Sequence, residues 1–148
     1  MIVRALAWLG TGLLLAGCIA DRPTPVEAGR SAFAAYCVDC HGSAARGDGP
    51  MAVFVTGGVP NLRELSLRNG GAFPKTRVIK VITRISDLHE DLVAMPDFGT
   101  LLQAEPGLYV TEKGEMIQTD ATILAIVDYL QSIQEQGEQS TPQAALPG

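Results

Sequence analysis

The sequence predicts an all-α domain, and amphipathic segments near its two ends carry that prediction. Between Asp120 and Ile133, apolar residues recur every three or four positions, which is the spacing of one face of a helix. Near the other end, Thr24-Pro25-Val26-Glu27 combines a hydroxyl cap, a proline in the first turn and a glutamate three residues after the cap, which is typical of a helix start. We expect this first helix to run from Pro25 to about Val38.

Two further elements are expected between these helices. Residues 73–82 predict a middle helix with Pro74 at its start, although the many β-branched side chains leave a strand open on propensity alone. Residues 108–111 and 115–118 flank Glu112-Lys113-Gly114, a pattern typical of a small β-hairpin. The expected architecture is therefore helical, with a small loop or hairpin insertion before the last helix.

Composition and charge narrow the function classes. The chain has 148 residues, enough for one modest domain. Its formal net charge is −5. Nucleic acid binding requires a surface rich in basic residues, so no nucleic acid partner is expected. Six basic residues and one acid lie between positions 63 and 84, and nine acids and one lysine lie between positions 87 and 128. The basic segment is compatible with steering toward an acidic partner and also with a solvated helix face.

The N-terminal residues resemble a lipoprotein export signal. A basic start at Arg4 precedes an apolar run over residues 5–16, which is too short to span a bilayer. The run ends in Leu15-Ala16-Gly17-Cys18, which resembles the lipobox of bacterial lipoproteins, where cleavage precedes a cysteine that carries the lipid. The alternative is an ordinary signal peptide in which Cys18 is incidental. We predict a signal peptide over residues 1–17 and a lipidated cysteine with a linker over residues 18–23, which would anchor the exported protein to a bacterial membrane, facing the periplasm.

The chemically most specific segment is Cys37-Val38-Asp39-Cys40-His41, at the end of the first predicted helix. Two cysteines at this spacing on a helix terminus face the same way, so both can form thioethers with the vinyl groups of a haem. The histidine that follows supplies a fixed axial ligand to the iron. This is the c-type haem attachment motif, and Cys37, Cys40 and His41 are predicted to hold a covalently attached haem c.

Three other uses of the two cysteines compete with haem attachment. A thioredoxin-like redox pair needs a preceding strand in a βαβ setting, whereas a helix precedes this motif. A structural zinc site needs a fourth ligand, and His89 is the only other histidine in the chain. A plain disulfide suits an oxidising compartment. The histidine directly after the second cysteine, in an exported chain, favours haem.

Beyond the motif, residues 24–134 resemble a class I c-type cytochrome with a single haem. Gly29 and Phe33 lie eight and four residues before Cys37, where that family has a glycine and an aromatic residue at the crossing of its terminal helices. Tyr129-Leu130 is similar to the family's aromatic–leucine pair on the crossing face of the last helix. The resemblance implies a cytochrome c fold, in which N-terminal and C-terminal helices cross around one haem.

The resemblance also implies how the axial histidine is held. The segment from Gly42 to Pro50 is similar to the family's CHG…GxGP stretch, in which a proline carbonyl accepts a hydrogen bond from the outer nitrogen of the histidine. Such a bond fixes the ring and makes the ligand more basic. Pro50 is the predicted acceptor, and Pro60 is the alternative if the loop runs longer.

The second axial ligand must be a thioether or an imidazole on the far side of the haem. Met95 is followed by Pro96, as in the family's Met-Pro ligand loop, and is the predicted metal ligand beside His41. About twenty residues then separate this loop from the last helix, more than the family usually has. The other candidates are Met51, close to the histidine in sequence, Met116, in the segment that the family usually lacks, and His89, which would give bis-histidine ligation and a lower potential.

With both axial positions filled by the protein, the resemblance implies an electron carrier rather than an enzyme. The expected partners are redox proteins, namely a dehydrogenase, a quinol-oxidising complex or a terminal oxidase, together with the membrane through the lipid anchor. The alternatives are a haem-containing subunit of a larger complex and an open-site haem enzyme or sensor in which Met95 is only structural. Residues 135–148 are polar and rich in small side chains, and we predict a disordered tail there.

Overall fold

The computed structural model describes residues 22–84, 95–103 and 105–135. In chain order its helices and strands are α1 (Pro25–Tyr36), α2 (Val38–His41), α3 (Lys75–Ile82), α4 (Phe98–Leu101), β1 (Pro106–Val110), β2 (Met116–Asp120) and α5 (Ala121–Ser132). Turns of 3-10 helix over Ala52–Phe54, Leu62–Glu64 and Leu67–Asn69 lie between α2 and α3. Within these described residues, no helix is both long and apolar enough to cross a membrane.

Several predictions fall outside the described residues. They concern the signal peptide, lipidation at Cys18, the candidate ligand His89 and the tail beyond Glu135. The domain boundaries drawn at residues 17, 23 and 134 stay predictions.

The capping box at the start of α1 is confirmed. The Glu27 amide donates to the Thr24 hydroxyl at 3.3 Å, and the Thr24 amide donates to the Glu27 carboxylate at 2.8 Å. Two backbone donors that a helix start leaves unpaired are thereby satisfied. The helix ends at Tyr36, slightly earlier than predicted, because Cys37 adopts φ −118° and separates α1 from the short helix α2.

The crossing of α1 and α5 forms the centre of the core. A side chain at Gly29 would collide with the backbone carbonyl of Ala125, so only glycine allows the two helices to approach this closely. The rings of Phe33 and Tyr129 lie beside this point, with centroids 5.4 Å apart and planes inclined by 54°. The crossing expected from Gly29 and Phe33 is therefore present.

The last helix begins at a buried aspartate. Asp120 Oδ1 accepts from the Thr122 amide at 2.7 Å, and its Oδ2 accepts from the Glu105 amide at 2.8 Å. Asp120 is thus the N-cap of α5. The apolar side of α5 is buried as its periodicity predicts, through Ile123, Ile126, Val127 and Leu130.

The middle helix is present as α3, with Pro74 at its N-cap. Its buried side chains Val78, Ile79 and Ile82 join the core. This outcome shows that amphipathic spacing outweighs the strand propensity of the β-branched residues, because the helix has an apolar face to bury.

The hairpin before α5 is also present, with strands longer than predicted. Pro106 pairs with Asp120 and Val110 with Met116 in an antiparallel register. The hairpin attaches to α3 through polar contacts: Thr76 donates to Glu112 at 2.9 Å and lies 3.2 Å from the Tyr109 hydroxyl. The core is thus helical while the insertion is a two-stranded sheet, so the predicted all-α class describes the core only.

Candidate functional site

The candidate site begins where α1 gives way to α2. Cys37 occupies the junction, while Cys40 and His41 lie in α2. Both cysteines are free thiols and partly buried. The helical geometry of α2 therefore presents two sulfur atoms and one imidazole from five consecutive residues, the arrangement that the motif predicts.

The loop after His41 folds back onto the carbonyl end of α2. The Gly47 amide donates to His41 at 2.8 Å, the Gly49 amide to Cys40 at 3.2 Å, and the Met51 amide to Asp39 at 2.8 Å. These donors satisfy carbonyl groups that the end of a helix leaves unpaired. The short helix carrying the motif is thus held by its own downstream loop.

The His41 imidazole is mostly buried, and burial lowers its pKa because it disfavours the charged ring. A backbone interaction with Pro60 acts in the opposite direction and raises the pKa. Proline has no amide hydrogen, so the interacting group of Pro60 is its carbonyl. Nδ1 of His41 is buried and makes no hydrogen bond of good geometry with the described residues. Burial of the ring thus favours the neutral imidazole, which is the form that ligates iron.

The structure gives Pro60, the alternative acceptor, a place beside the loop that follows His41. An added Cβ at Gly47 would be 3.1 Å from the Pro60 carbonyl oxygen, and the Gly47 amide donates to the His41 carbonyl. The turn around Pro50 uses its flanking amides, those of Gly49 and Met51, to bond the α2 backbone. These contacts favour Pro60 over Pro50 as the acceptor, and the assignment itself stays a prediction.

Met95 lies on a loop that contacts Arg84, just after α3, and Tyr36, at the end of α1. Its side chain is partly buried against the core, and its carbonyl accepts from Arg84 at 3.3 Å. Three residues later, Phe98 meets Tyr36 edge to face, with ring centroids 6.5 Å apart. Because Tyr36 directly precedes Cys37, this ring contact brings the Met95 loop to the end of α1 that carries the motif.

The other described methionines are less suited to ligation. Met51 is 47% exposed and Met116 is 70% exposed, on the outer side of the hairpin. A thioether that fills an axial position must be withdrawn from solvent beside the ring. Among the described candidates, burial therefore favours Met95.

The thiols do not have the character of a redox-active pair. Burial is the main cause that raises the pKa of Cys37 to about 12, and the neighbouring Cys40 raises it further. A thiol–disulfide oxidoreductase needs a lowered thiol pKa to generate the attacking thiolate. Cys37 has the opposite property, which argues against a thioredoxin-like use of the motif.

The residues present fit a haem c. Partly buried apolar side chains, Leu62, Leu65 and Phe73 among them, pack against the core together with Cys37 and Met95. The donor set comprises two thiols for thioether bonds, a neutral imidazole and a thioether, which is the set of a His/Met cytochrome. The buried Nδ1 of His41, with the Pro60 carbonyl nearby, matches a ligand whose other nitrogen is oriented by the protein.

The basic segment at 63–84 is largely paired within the molecule. Its ion pairs are Arg63–Glu135, Arg68–Glu64, Lys75–Asp128 and Lys80–Glu115, with nitrogen–oxygen distances from 2.6 to 3.5 Å. A cation paired with its own acid contributes little to the long-range field. The structure therefore favours a solvated, ion-paired surface over a steering patch for this segment.

Some residues of the site were not foreseen from the sequence. Tyr36, Phe98 and Arg84 were not identified, although an aromatic residue beside the cysteine motif and another beside the Met-Pro pair were visible signals. Gln134 and Glu135, which contact the segment after Pro60, carry no recognisable pattern. Their contact depends on how distant segments meet in the fold.

Comparison with known proteins agrees with this site. Residues 24–106 match the protein family described as "Cytochrome C oxidase, cbb3-type, subunit III". The matched range is more than half of the chain and includes the cysteine motif, Pro60 and Met95. Searches of curated proteins and of solved structures found no match. The chain is therefore a c-type cytochrome that binds covalently attached haem c, and it belongs to the family of cbb3-type cytochrome c oxidase subunit III.

Proposed function

We propose that this protein is a monohaem electron carrier of class I type, in which His41 and Met95 are the two axial ligands of a haem c bound through Cys37 and Cys40. The observation that carries the proposal is the contact between Tyr36 and Phe98. It brings the Met95 loop to the motif end of α1. The family match independently supports haem-mediated electron transfer.

The haem c, when bound, supplies one-electron chemistry between Fe(III) and Fe(II). The two thiols provide the covalent attachment, so the group stays in place through both redox states. The neutral imidazole of His41 would provide a nitrogen lone pair, and the Pro60 carbonyl would orient the ring. The partly buried apolar side chains Leu62, Leu65 and Phe73 exclude water from this part of the protein, which limits solvent reorganisation during electron transfer.

The proposed ligation is tested by producing the protein with haem-attachment machinery present. We expect haem to remain on the chain after denaturation. The double variant Cys37→Ala/Cys40→Ala should abolish this retention. We also expect the ferrous protein not to bind carbon monoxide under mild conditions. Rapid carbon monoxide binding would contradict the carrier and support an open-site haem enzyme or sensor.

We further propose that the protein is exported and attached to a bacterial membrane through lipid on Cys18, facing the periplasm. The lipobox-like sequence that ends at Cys18 supports this proposal. The variant Cys18→Ser should move the haem protein from the membrane fraction to the periplasmic soluble fraction. Unchanged membrane attachment of Cys18→Ser would contradict the lipid anchor.

A second candidate is a fixed haem subunit of an oxidase complex, and the description of the matched family favours it. Co-purification separates the two. After native membranes are solubilised in detergent, a carrier that acts freely should purify by itself. A fixed subunit should co-purify with stoichiometric amounts of oxidase subunits.

A further inference from the structure

Two residues just beyond the end of α5, Gln134 and Glu135, fasten a distant loop beside the axial histidine. The side-chain amide of Gln134 makes three hydrogen bonds. It donates to the carbonyls of Leu62 at 2.8 Å and Leu130 at 2.7 Å, and it accepts from the amide of Ser66 at 2.9 Å. One side chain thus spans both ends of the segment 62–66 and also satisfies a carbonyl near the end of α5.

Glu135 fastens the same segment from a second position. Its amide donates to the Arg63 carbonyl at 2.8 Å, and its carboxylate accepts from Arg63 Nε at 3.2 Å. The same carboxylate oxygen pairs with Arg46 at 2.8 Å, in the loop that follows His41. Glu135 therefore joins the end of α5 to both loops that surround the histidine.

The fastened segment leads directly to the histidine. The Leu62 amide donates to the carbonyl of Ala45 at 2.9 Å, and Ala45 is fully buried with φ 58°. Two residues before Leu62, the carbonyl of Pro60 lies against Gly47, whose amide donates to the His41 carbonyl at 2.8 Å. A displacement of the segment 62–66 would therefore move the Pro60 carbonyl relative to the imidazole.

From these contacts we propose that Gln134 and Glu135 are positioning residues for the axial ligand, and that they tune the reduction potential by holding the Pro60 carbonyl against His41. The inference rests on the proposed function, because it requires His41 to be the iron ligand. A hydrogen bond to the outer nitrogen makes an axial histidine more basic and favours the ferric state. Loosening the segment weakens this bond and raises the midpoint potential.

The experiment is a spectroelectrochemical titration of the haem-loaded full chain and its variants. Gln134→Ala removes all three side-chain bonds and should raise the midpoint potential most. Glu135→Gln keeps an acceptor for Arg63 without the charge and should also shift the potential upward by less than Gln134→Ala.

The matched control is Glu112→Gln, which disturbs a polar cluster of the hairpin, where Glu112 contacts Thr76 and Tyr109. It should leave the potential unchanged. The variant Pro60→Gly loosens the same carbonyl. In the Pro60→Gly background, Gln134→Ala should therefore shift the midpoint potential by less than it does in the wild-type background.

The outcomes separate this inference from the proposed function. A wild-type chain that takes up no haem, or whose haem lacks histidine ligation, overturns both. A wild-type His/Met spectrum with an unchanged potential in Gln134→Ala overturns only the positioning role, as does an equal shift in Glu112→Gln. Should Gln134→Ala not fold, Glu135→Gln decides the question by the same criterion.

Discussion

The crossing of α1 with α5 and the attachment of the hairpin to α3 are held by different kinds of contact. At the crossing, backbones meet at Gly29 and the side chain of Phe33 is buried against Tyr129. At the hairpin, polar groups such as the half-buried Thr76 and the exposed Glu112 connect it to α3. Buried apolar contacts contribute several times more to stability than solvated polar ones.

The difference has a functional meaning. α1 runs directly into Cys37, so the crossing fixes the position of the haem motif. The hairpin carries none of the proposed haem-binding residues, and the family match ends at residue 106, where its first strand begins. We therefore expect substitutions at the crossing to cost stability and haem incorporation. Substitutions at exposed hairpin positions should cost little of either, unlike those at Ile117, which is 5% exposed and belongs to the core.

The largest expected effect is that of Phe33→Ala. Phe33 is 2% exposed, and loss of a buried aromatic ring costs about 3–5 kcal/mol of unfolding free energy. Urea denaturation, monitored by circular dichroism, measures the loss of unfolding free energy. The matched hairpin variant is Leu108→Ala, at a position that is 56% exposed, where we expect a change within about 0.5 kcal/mol. Comparable losses in the two variants would remove the distinction between the regions.

Gly29→Ala tests the close approach of the backbones themselves. The added methyl group meets the Ala125 carbonyl, and overpacking of this kind costs about 1–3 kcal/mol. The control is Ala34→Val, at an exposed position of the same helix, for which helix propensity predicts a loss of roughly 0.5 kcal/mol. The same denaturation experiment applies. A Gly29→Ala protein as stable as wild type would show that the helices can separate without cost.

Tyr109→Phe removes the hydroxyl that Thr76 and Glu112 share in the hairpin cluster. Loss of such a hydrogen bond costs about 0.5–1.5 kcal/mol, and we expect the lower end because Glu112 is exposed. The midpoint potential should not change. A loss as large as that of Phe33→Ala, or a shifted potential, would make the hairpin part of the haem environment.

The smallest effect is a pH dependence that the two regions share. Hydrogen bonds lower the pKa of Glu27 at the α1 cap and of Glu112 in the hairpin, each from 4.5. Because the folded pKa is depressed, each carboxylate contributes stability fully above its unfolded pKa and loses it as the pH falls through the folded pKa.

Unfolding free energies measured between about pH 7 and about pH 3 should therefore decrease less steeply in Glu27→Gln and in Glu112→Gln than in wild type. Since both groups are exposed, both differences should shrink at high salt. A steeper acid dependence in either variant would contradict the assigned direction of the pKa shift.

Local patterns predicted the parts of the fold that depend on neighbouring residues. The capping box at Thr24, the apolar face of α5 and the strands around Glu112-Lys113-Gly114 each follow from a few adjacent side chains. The offset of Gly29 from Cys37 predicted a tertiary contact only because it resembled a known family. Physical spacing alone does not identify the helix that Gly29 meets.

The remaining features depend on contacts between distant segments. Pro60 packs against Gly47 in the loop after His41, while the amides around Pro50 bond the α2 backbone, and no local pattern indicates either arrangement. Gln134 meets Ser66 across 68 positions of sequence. The break between α1 and α2 at Cys37, where φ is −118°, is likewise not indicated by the helix propensity of its residues.

The central claim is that Met95 completes the iron site opposite His41, and the ferric absorption spectrum tests it most directly. Methionine ligation gives a weak long-wavelength band from sulfur-to-iron charge transfer. We predict this band in the wild-type protein and in Met51→Ala, whose methionine is exposed, and its loss in Met95→Ala. A band that persists in Met95→Ala, or that is absent from the haem-loaded wild-type protein, would contradict the assignment of Met95.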